Sequence, residues 1–287
     1  MKNEITLNTA LLIQGPYTNN ITEEMILRNK NDFNEIVFST WDTSAKINIP
    51  DIKIIKNPLP KINKYHNSQN IYLQVSSMIY GLENIKSKFV IKTRSDEYFS
   101  NLKLFAAQAL KTNKLIISNI FVKDVSYAKF HISDHLFLGE KEILLRSLKL
   151  LKSFLEESKD INIKAIKSDK VPAEVKIALF YLKAKGYLIK NLIESSETEA
   201  HNIMKSEFEV FDIQVLKPYL ISSSAIGKIK CLKKFCFFDG ASGLNYCKSI
   251  KDLAPKNKII KKIKILQNGI KRRIFNKSVL KFLRIII

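Results

Sequence analysis

Along the first half of the chain, short apolar runs alternate with stretches in which apolar residues recur every three or four positions. The run at 11–14 predicts a strand stopped by Gly15-Pro16, and Thr22 stands where it can cap a helix over 23–31. EIVFST at 35–40 and DIKIIK at 51–56 predict two more strands, followed by a long helix over 68–85. KFVIK at 88–92 and KLIIS at 114–118 predict further strands, with a helix over 102–111 between them. Strands alternating with helices predict an α/β fold, a mostly parallel sheet covered on both faces.

In such a sheet, ligands bind beyond the carboxyl ends of the strands. That rule singles out three polar clusters placed directly after apolar runs: Gln14-Gly15-Pro16, Ser39-Thr40-Trp41-Asp42 and Thr93-Arg94-Ser95-Asp96-Glu97.

The second half has helical spacing. Ile143, Leu144, Leu148, Leu151, Phe154 and Leu155 form one apolar stripe over 141–157. A second helix is predicted over 171–185, with Pro172 in a first turn, where it is tolerated. The polar stretch 158–170 between them predicts a loop over the site, and 211–249 carries no regular period. Near the C-terminus, Ile259, Ile263, Leu266, Ile270 and Ile274 form another stripe, with Lys258, Lys261, Lys262, Arg272 and Arg273 mostly off it. A basic helix with one apolar face suits an anionic membrane surface, where each cation contributes about 1 kcal/mol. The competing reading is a helix packed on the domain core with a solvated basic back.

Composition refines this picture. The chain has 287 residues, 46% of them hydrophobic and only 8 Gly and 7 Pro, which excludes general disorder and allows one large domain with an appendage. Its net charge of +21 points to a polyanionic partner: nucleic acid, anionic lipid or a phosphorylated substrate. Nine Lys and three Arg against Asp252 alone place +11 of that charge in residues 251–287. A nucleic-acid surface calls for aromatics interleaved with the cations, whereas this tail is rich in Ile, so no nucleic-acid partner is expected. Cys231, Cys236 and Cys247 are odd in number and match no zinc spacing, which argues against a disulfide framework or zinc site. The N-terminal apolar run is too short for a signal peptide and no apolar stretch is long enough to span a bilayer. A cytoplasmic protein, free or peripheral on the inner face of a membrane, is expected.

Candidate chemistry concentrates in KFVIKTRSDEY at 88–98. A carboxylate at the end of a buried strand can hold a divalent cation that neutralises a departing diphosphate, which makes Asp96 the candidate ligand, completed by Ser95, Glu97 or water. Arg94 or Lys92 can instead contact a phosphate directly. Gln14-Gly15-Pro16 offers an amide and backbone N–H groups to a pyrimidine edge, or is a plain turn. Trp41, the single Trp, can stack on a base or sugar or fill the core, and Asp42 follows it. If a sugar were transferred with inversion of its anomeric centre, an acceptor hydroxyl would need a general base, and two acids qualify. One is Asp134, between His131 and His135; the other is Glu174, in a helical first turn where acids are also favoured by the helix dipole. The two histidines would form a zinc pair only on a helix. The nearby Gly139 and apolar run predict strand or loop instead.

Taken in register, several of these segments resemble the WavE family of bacterial lipopolysaccharide-synthesis proteins. The matching residues are Leu12-Ile13-Gln14-Gly15-Pro16, Phe38-Ser39-Thr40-Trp41, the helix bearing Asn70, Gln74-Val75-Ser76-Ser77 and Gly81-Leu82, Ile91-Lys92-Thr93-Arg94-Ser95-Asp96, Ile132-Ser133-Asp134 with Gly139, and Ala173-Glu174. The resemblance covers about the first 215 residues. It departs at Leu73, where the family often carries Arg, and in having a single certain carboxylate in the metal motif.

The resemblance implies a GT-A-like glycosyltransferase domain over 1–215; outside it, the sequence itself reads as an irregular connecting segment over 216–255 and the basic amphipathic helix over 256–287. It implies transfer of a hexose from a nucleoside-diphosphate sugar to a lipid-linked oligosaccharide of lipopolysaccharide, lipooligosaccharide or capsule. Arg94-Ser95-Asp96 takes the place of the DXD motif, with Asp96 on Mn²⁺ or Mg²⁺. Arg94 or Lys92 would assist the leaving group, Gln14, Gly15, Pro16, Trp41 and Asp42 would line the nucleotide, and Asp134 and Glu174 would face sugar and acceptor. The alternatives are a basic nucleic-acid-binding protein and an inactive scaffold of a polysaccharide-synthesis complex.

Overall fold

In β1 (Thr9–Gln14) and β2 (Ile36–Trp41) every residue is buried, the pattern of central strands covered on both faces. A computed structural model describes residues 8–17, 21–42, 47, 49–60, 71–109, 111–120, 122–126, 128–157, 171–216 and 219–220. Within them, α1 (Ile21–Asn29) joins the first two strands, and β3 (Lys53–Asn57), α2 (Ile71–Glu83) and β4 (Phe89–Arg94) follow. Next come β5 (Tyr98–Phe99), α3 (Leu102–Ala106), β6 (Leu115–Ser118), β7 (Phe137–Glu140) and α4 (Lys141–Glu157). The last elements are α5 (Ala173–Ala184), α6 (Ile189–Glu194), α7 (Glu197–Glu207), β8 (Phe208–Phe211), a 3₁₀ turn (Ile213–Leu216) and β9 (Tyr219–Leu220).

Seven strands form one sheet in the order β3-β2-β1-β4-β7-β6-β8, and β5 pairs with β9 in a separate ribbon. The α/β expectation therefore holds, with one strand reversed. β1 to β4 run parallel, β7 is antiparallel to both β4 and β6, and β8 is parallel to β6. Because β7 runs backwards, its entry lies at the edge where β4 and β6 leave the sheet.

Each face of the sheet has its own core. Leu12, Val37 and Val90 point to the face covered by α2, α4 and α5, while Leu11, Ile13, Phe38 and Ile91 face α1 and α3. Gly81 lets α2 sit close: a Cβ there would lie 2.4 Å from a Leu12 methyl. The Ser39 hydroxyl donates to the Ser77 carbonyl at 2.7 Å, and the Ser77 hydroxyl donates back to the Ser39 carbonyl at 3.1 Å. Glu35, just before β2, accepts from the backbone N–H groups of Lys86 and Ser87 at 2.8 and 2.9 Å, anchoring the turn into β4.

Three local expectations change. Thr22 does not cap α1; it lies inside the first turn and donates to the Ser95 carbonyl at 2.8 Å, tying α1 to the turn after β4. The helix expected over 102–111 is the short α3, and the helix expected from 171 begins at Ala173 with Pro172 as its N-cap. Among the described residues no helix is long and apolar enough to cross a membrane. The 158–170 loop, the tail over 256–287, the three cysteines and nearly all of 216–255 lie outside the described residues.

Candidate active site

β4 carries Lys92, Thr93 and Arg94 to the carboxyl edge of the sheet, and Ser95 to Glu97 turn away from it. The residues entering β7 arrive at the same edge. The Ser118 hydroxyl, at the end of β6, donates to Ser133 Oγ at 2.8 Å, and Lys92 Nζ donates to the Asp134 carbonyl. Lys92 is only 1% exposed, with its ammonium 5.5 Å from the centre of the Phe137 ring. Burial pushes its pKa down to about 8, against the pull of Asp134. This lysine fastens the two sides of the site together.

The end of β1 is clamped to the same turn. The Ser95 N–H donates to the Gln14 carbonyl at 3.0 Å, and its hydroxyl donates to the Pro16 carbonyl at 2.7 Å. Gly15 has φ +133°, and a Cβ there would meet Ser95 Oγ at 2.5 Å. Only glycine fits both the backbone and the space.

Above this floor stands a charged cluster. The Arg94 guanidinium grips Asp96 through one edge, Nε to Oδ1 at 2.9 Å and Nη2 to Oδ2 at 2.8 Å, and both side chains are about one-third exposed, at 34% and 30%. Arg94 Nε also lies 3.8 Å from Oε1 of Glu97, which is 0% exposed. That same oxygen meets Nδ1 of His135, while the second Glu97 oxygen, Oε2, is buried without a hydrogen-bond partner. His135 Nε2 lies 3.6 Å from Asp134 Oδ1, and Gln74 Nε2 donates to Asp134 Oδ2 at 2.9 Å.

Electrostatics divides the two candidate bases. Burial opposes ionisation of Asp134, yet His135, then Lys92 and Arg94, outweigh it and hold the carboxyl well below the usual range. Glu174, at the start of α5, is pushed up, first by burial and then by the Asp134 charge. On the far side, burial lowers the Lys123 pKa against the attraction of Glu174. His131 is driven down to about 4 by burial and then by Lys123, and its Nδ1 has no hydrogen-bond partner. Neighbouring acids with separated proton affinities are the arrangement that assigns one to hold charge and the other to move a proton.

Of the residues singled out in the sequence, Lys92, Arg94, Asp96, Asp134 and Glu174 come together here, with Gln14-Gly15-Pro16 alongside. Trp41 and Asp42 leave β2, separated from β4 by β1. Trp41 is 7% exposed, which leaves little ring surface for stacking, whereas Asp42 is exposed. Gln74 appeared in the sequence only as part of the resemblance, Glu97 only as a spare metal ligand, and His135 only as half of a zinc pair. Residues 131–135 are loop, and the two rings serve different neighbours. Lys123 carried no sequence signal.

The donor set does not fit the cation expected on Asp96. Both Asp96 oxygens are engaged by one guanidinium, and a divalent ion on the same carboxylate would face that charge at about 4–5 Å. Such a pair repels by several kcal/mol at an effective dielectric of about 20. Glu97 lies beneath the pair and is locked to His135. Among the described residues no group of three His, Cys, Asp or Glu side chains could hold a metal ion.

Residues 9–216, which hold every side chain of this cluster, match the family described as WavE lipopolysaccharide synthesis. The chain belongs to that family. In this WavE protein the match runs from β1 through the 3₁₀ turn, the same extent as the resemblance in sequence. No curated protein is significantly similar in sequence. Among solved structures, similarity extends to glucosyl-3-phosphoglycerate synthase from Mycobacterium tuberculosis in complex with Mn²⁺, UDP and phosphoglyceric acid, at 9% identity and TM-score 0.37, covering 63% of this chain and 80% of that one. A glycosyltransferase involved in glycosylation of the major capsid of PBCV-1 is similar at 9% identity and TM-score 0.36, covering 57% and 79%. So is 2-C-methyl-D-erythritol 4-phosphate cytidylyltransferase from Thermus thermophilus, at 9% identity and TM-score 0.36, covering 62% and 100%.

Proposed function

We propose that this WavE protein is a glycosyltransferase that moves a sugar from a nucleoside-diphosphate donor to an acceptor in lipopolysaccharide synthesis. The carrying observation is the juxtaposition at the carboxyl edge of the sheet of Arg94, of Asp134 with its carboxyl held below the usual range by His135, Lys92 and Arg94, and of Glu174 with its carboxyl pushed up by burial and the Asp134 charge. The donor's diphosphate lies toward Arg94, with Gln14-Gly15-Pro16 beside the nucleoside and Trp41-Asp42 on its far side. Asp134 stays anionic and accepts hydrogen bonds from donor-sugar hydroxyls. The acceptor oxygen forms a bond to the anomeric carbon as the bond from that carbon to the diphosphate breaks. The electron pair leaves with the phosphate, and the acceptor proton passes to Glu174. The acceptor attacks the face opposite the diphosphate, so the anomeric centre is inverted. The acceptor is a lipid-linked oligosaccharide, lipooligosaccharide and capsule precursors being variants of the same class. The protein works on the cytoplasmic face of the inner membrane, to which the basic tail over 256–287 attaches it.

Incubating the full chain with a panel of nucleoside-diphosphate sugars and lipopolysaccharide acceptors tests this reading. The expected result is release of one nucleoside diphosphate matched by a mass increase of one sugar on the acceptor. Neither transfer nor donor hydrolysis with any member of the panel, together with retained binding to other lipopolysaccharide-synthesis proteins, would leave an inactive scaffold as the better account.

A further inference from the structure

Arg94 is the last residue of β4, at the carboxyl edge of the sheet. Its side chain is one-third exposed and oriented by two hydrogen bonds to Asp96 at 2.9 and 2.8 Å, with buried Glu97 beneath at 3.8 Å. Those contacts use Nε and one arm of the fork; the other N–H groups of the guanidinium remain for a ligand. A planar donor fork held this way matches two phosphate oxygens at once. Lys92 cannot share the task, because it is buried and committed to the Asp134 carbonyl.

We infer that Arg94 carries the positive charge a divalent cation would otherwise supply, so that this protein binds and releases the diphosphate without metal. The inference rests on the proposed glycosyltransferase reading. As the bond from the anomeric carbon to the diphosphate oxygen breaks, the electron pair settles on an oxygen that accepts from Arg94. Asp96 keeps the guanidinium aimed at the sheet edge and supplies no metal bond. Its carboxylate neutralises Arg94 when no diphosphate is present, which explains why a cation stands in a site with so many other charges nearby.

The test is nucleoside-diphosphate binding by calorimetry, using UDP, GDP, CDP and ADP on the full chain freed of metal with EDTA. One of them binds the metal-free protein, and adding Mn²⁺ or Mg²⁺ changes its Kd by less than about threefold. Arg94→Gln weakens that binding by roughly 10- to 100-fold, the loss expected for charge-assisted bonds, and Arg94→Lys recovers part of it. Thermal melts on the same samples establish that the variants are folded. The metal titration on the unaltered protein stands even if Arg94→Gln does not fold. Binding that requires Mn²⁺ or Mg²⁺, or that tightens tenfold or more on adding either, overturns the inference while leaving the glycosyltransferase reading intact. Absence of binding by any of the four diphosphates, with and without metal, overturns both.

Discussion

His135 and Glu97 form a buried ion pair at the floor of the site, Nδ1 against Oε1, joining the turn after β4 to the segment entering β7. Burial alone would lower the His135 pKa, but Glu97 and then Asp134 outweigh it and raise the value. A group whose pKa is raised on folding contributes stability that is complete below its unfolded value, about 6.5, and is lost as pH rises through the folded value. His135→Gln is therefore expected to lower stability by about 3–5 kcal/mol at pH 6, the loss typical of breaking a buried pair. The deficit relative to the unaltered protein shrinks toward pH 9. Denaturant melts of both proteins across that range check it; a deficit independent of pH would mean that the ring acts by packing alone.

The division of labour proposed for Asp134 and Glu174 makes a kinetic prediction. Glu174→Gln cannot accept the acceptor's proton and should lower kcat by roughly 10²–10⁴-fold while donor affinity holds. Asp134→Asn keeps the base and loses an anion that faces the donor, so its main effect falls on donor KM. In the unaltered enzyme the acidic limb of the rate profile lies above the ordinary carboxylate range, because burial and the Asp134 charge raise Glu174. Full activity in both variants would remove both residues from the chemistry.

These roles show what the sequence could and could not carry. β1, β2 and β4 are legible because burial on both faces turns a strand into an unbroken apolar run, and α4 because one apolar stripe at helical spacing faces the core. The strand ends picked out by the parallel-sheet rule do hold Arg94 and Asp96. β7 is four residues long, and nothing in Phe137-Leu138-Gly139-Glu140 states that it runs against its neighbours. Yet that reversal brings His135 to Glu97, 38 residues away, and Asp134 to Gln74, 60 residues away. Such pairs exist only once the topology is known. Thr22 illustrates the same limit locally: its place suggested a cap, but a carbonyl 73 residues later claims the hydroxyl.

The clamp between β1 and β4 can be tested by stability. Gly15→Ala forces a Cβ against Ser95 Oγ at 2.5 Å on a backbone with φ +133°. The strained backbone alone costs about 1–3 kcal/mol. Adding Ser95→Ala removes the clashing oxygen and should restore part of the loss, leaving the backbone strain in place. Denaturant unfolding of the two single variants and the double variant measures that non-additivity. Strictly additive losses would show that the close approach is unimportant.

The last prediction concerns the basic stripe near the C-terminus. Lys258, Lys261, Lys262, Arg272 and Arg273 fall mostly off the line of Ile259, Ile263, Leu266, Ile270 and Ile274, within a segment of net charge +11. If the stripe rests on anionic lipid, each cation contributes about 1 kcal/mol near the surface. Changing all five to Gln in the full chain then removes up to about 5 kcal/mol, a loss of up to several thousandfold in partitioning to vesicles containing phosphatidylserine. Binding by the unaltered protein weakens steeply between low and physiological salt, because the attraction is screened over about 10 Å. Transfer to a short soluble acceptor persists, since every residue proposed to act on substrate lies within 9–216. A helix packed on the domain core behaves in the opposite way. Its basic back is already in water, so the Gln substitutions leave vesicle binding and melting temperature unchanged, while Ile263→Asp lowers the melting temperature. Vesicle co-sedimentation and thermal melts on these two variants separate a membrane anchor from a structural helix.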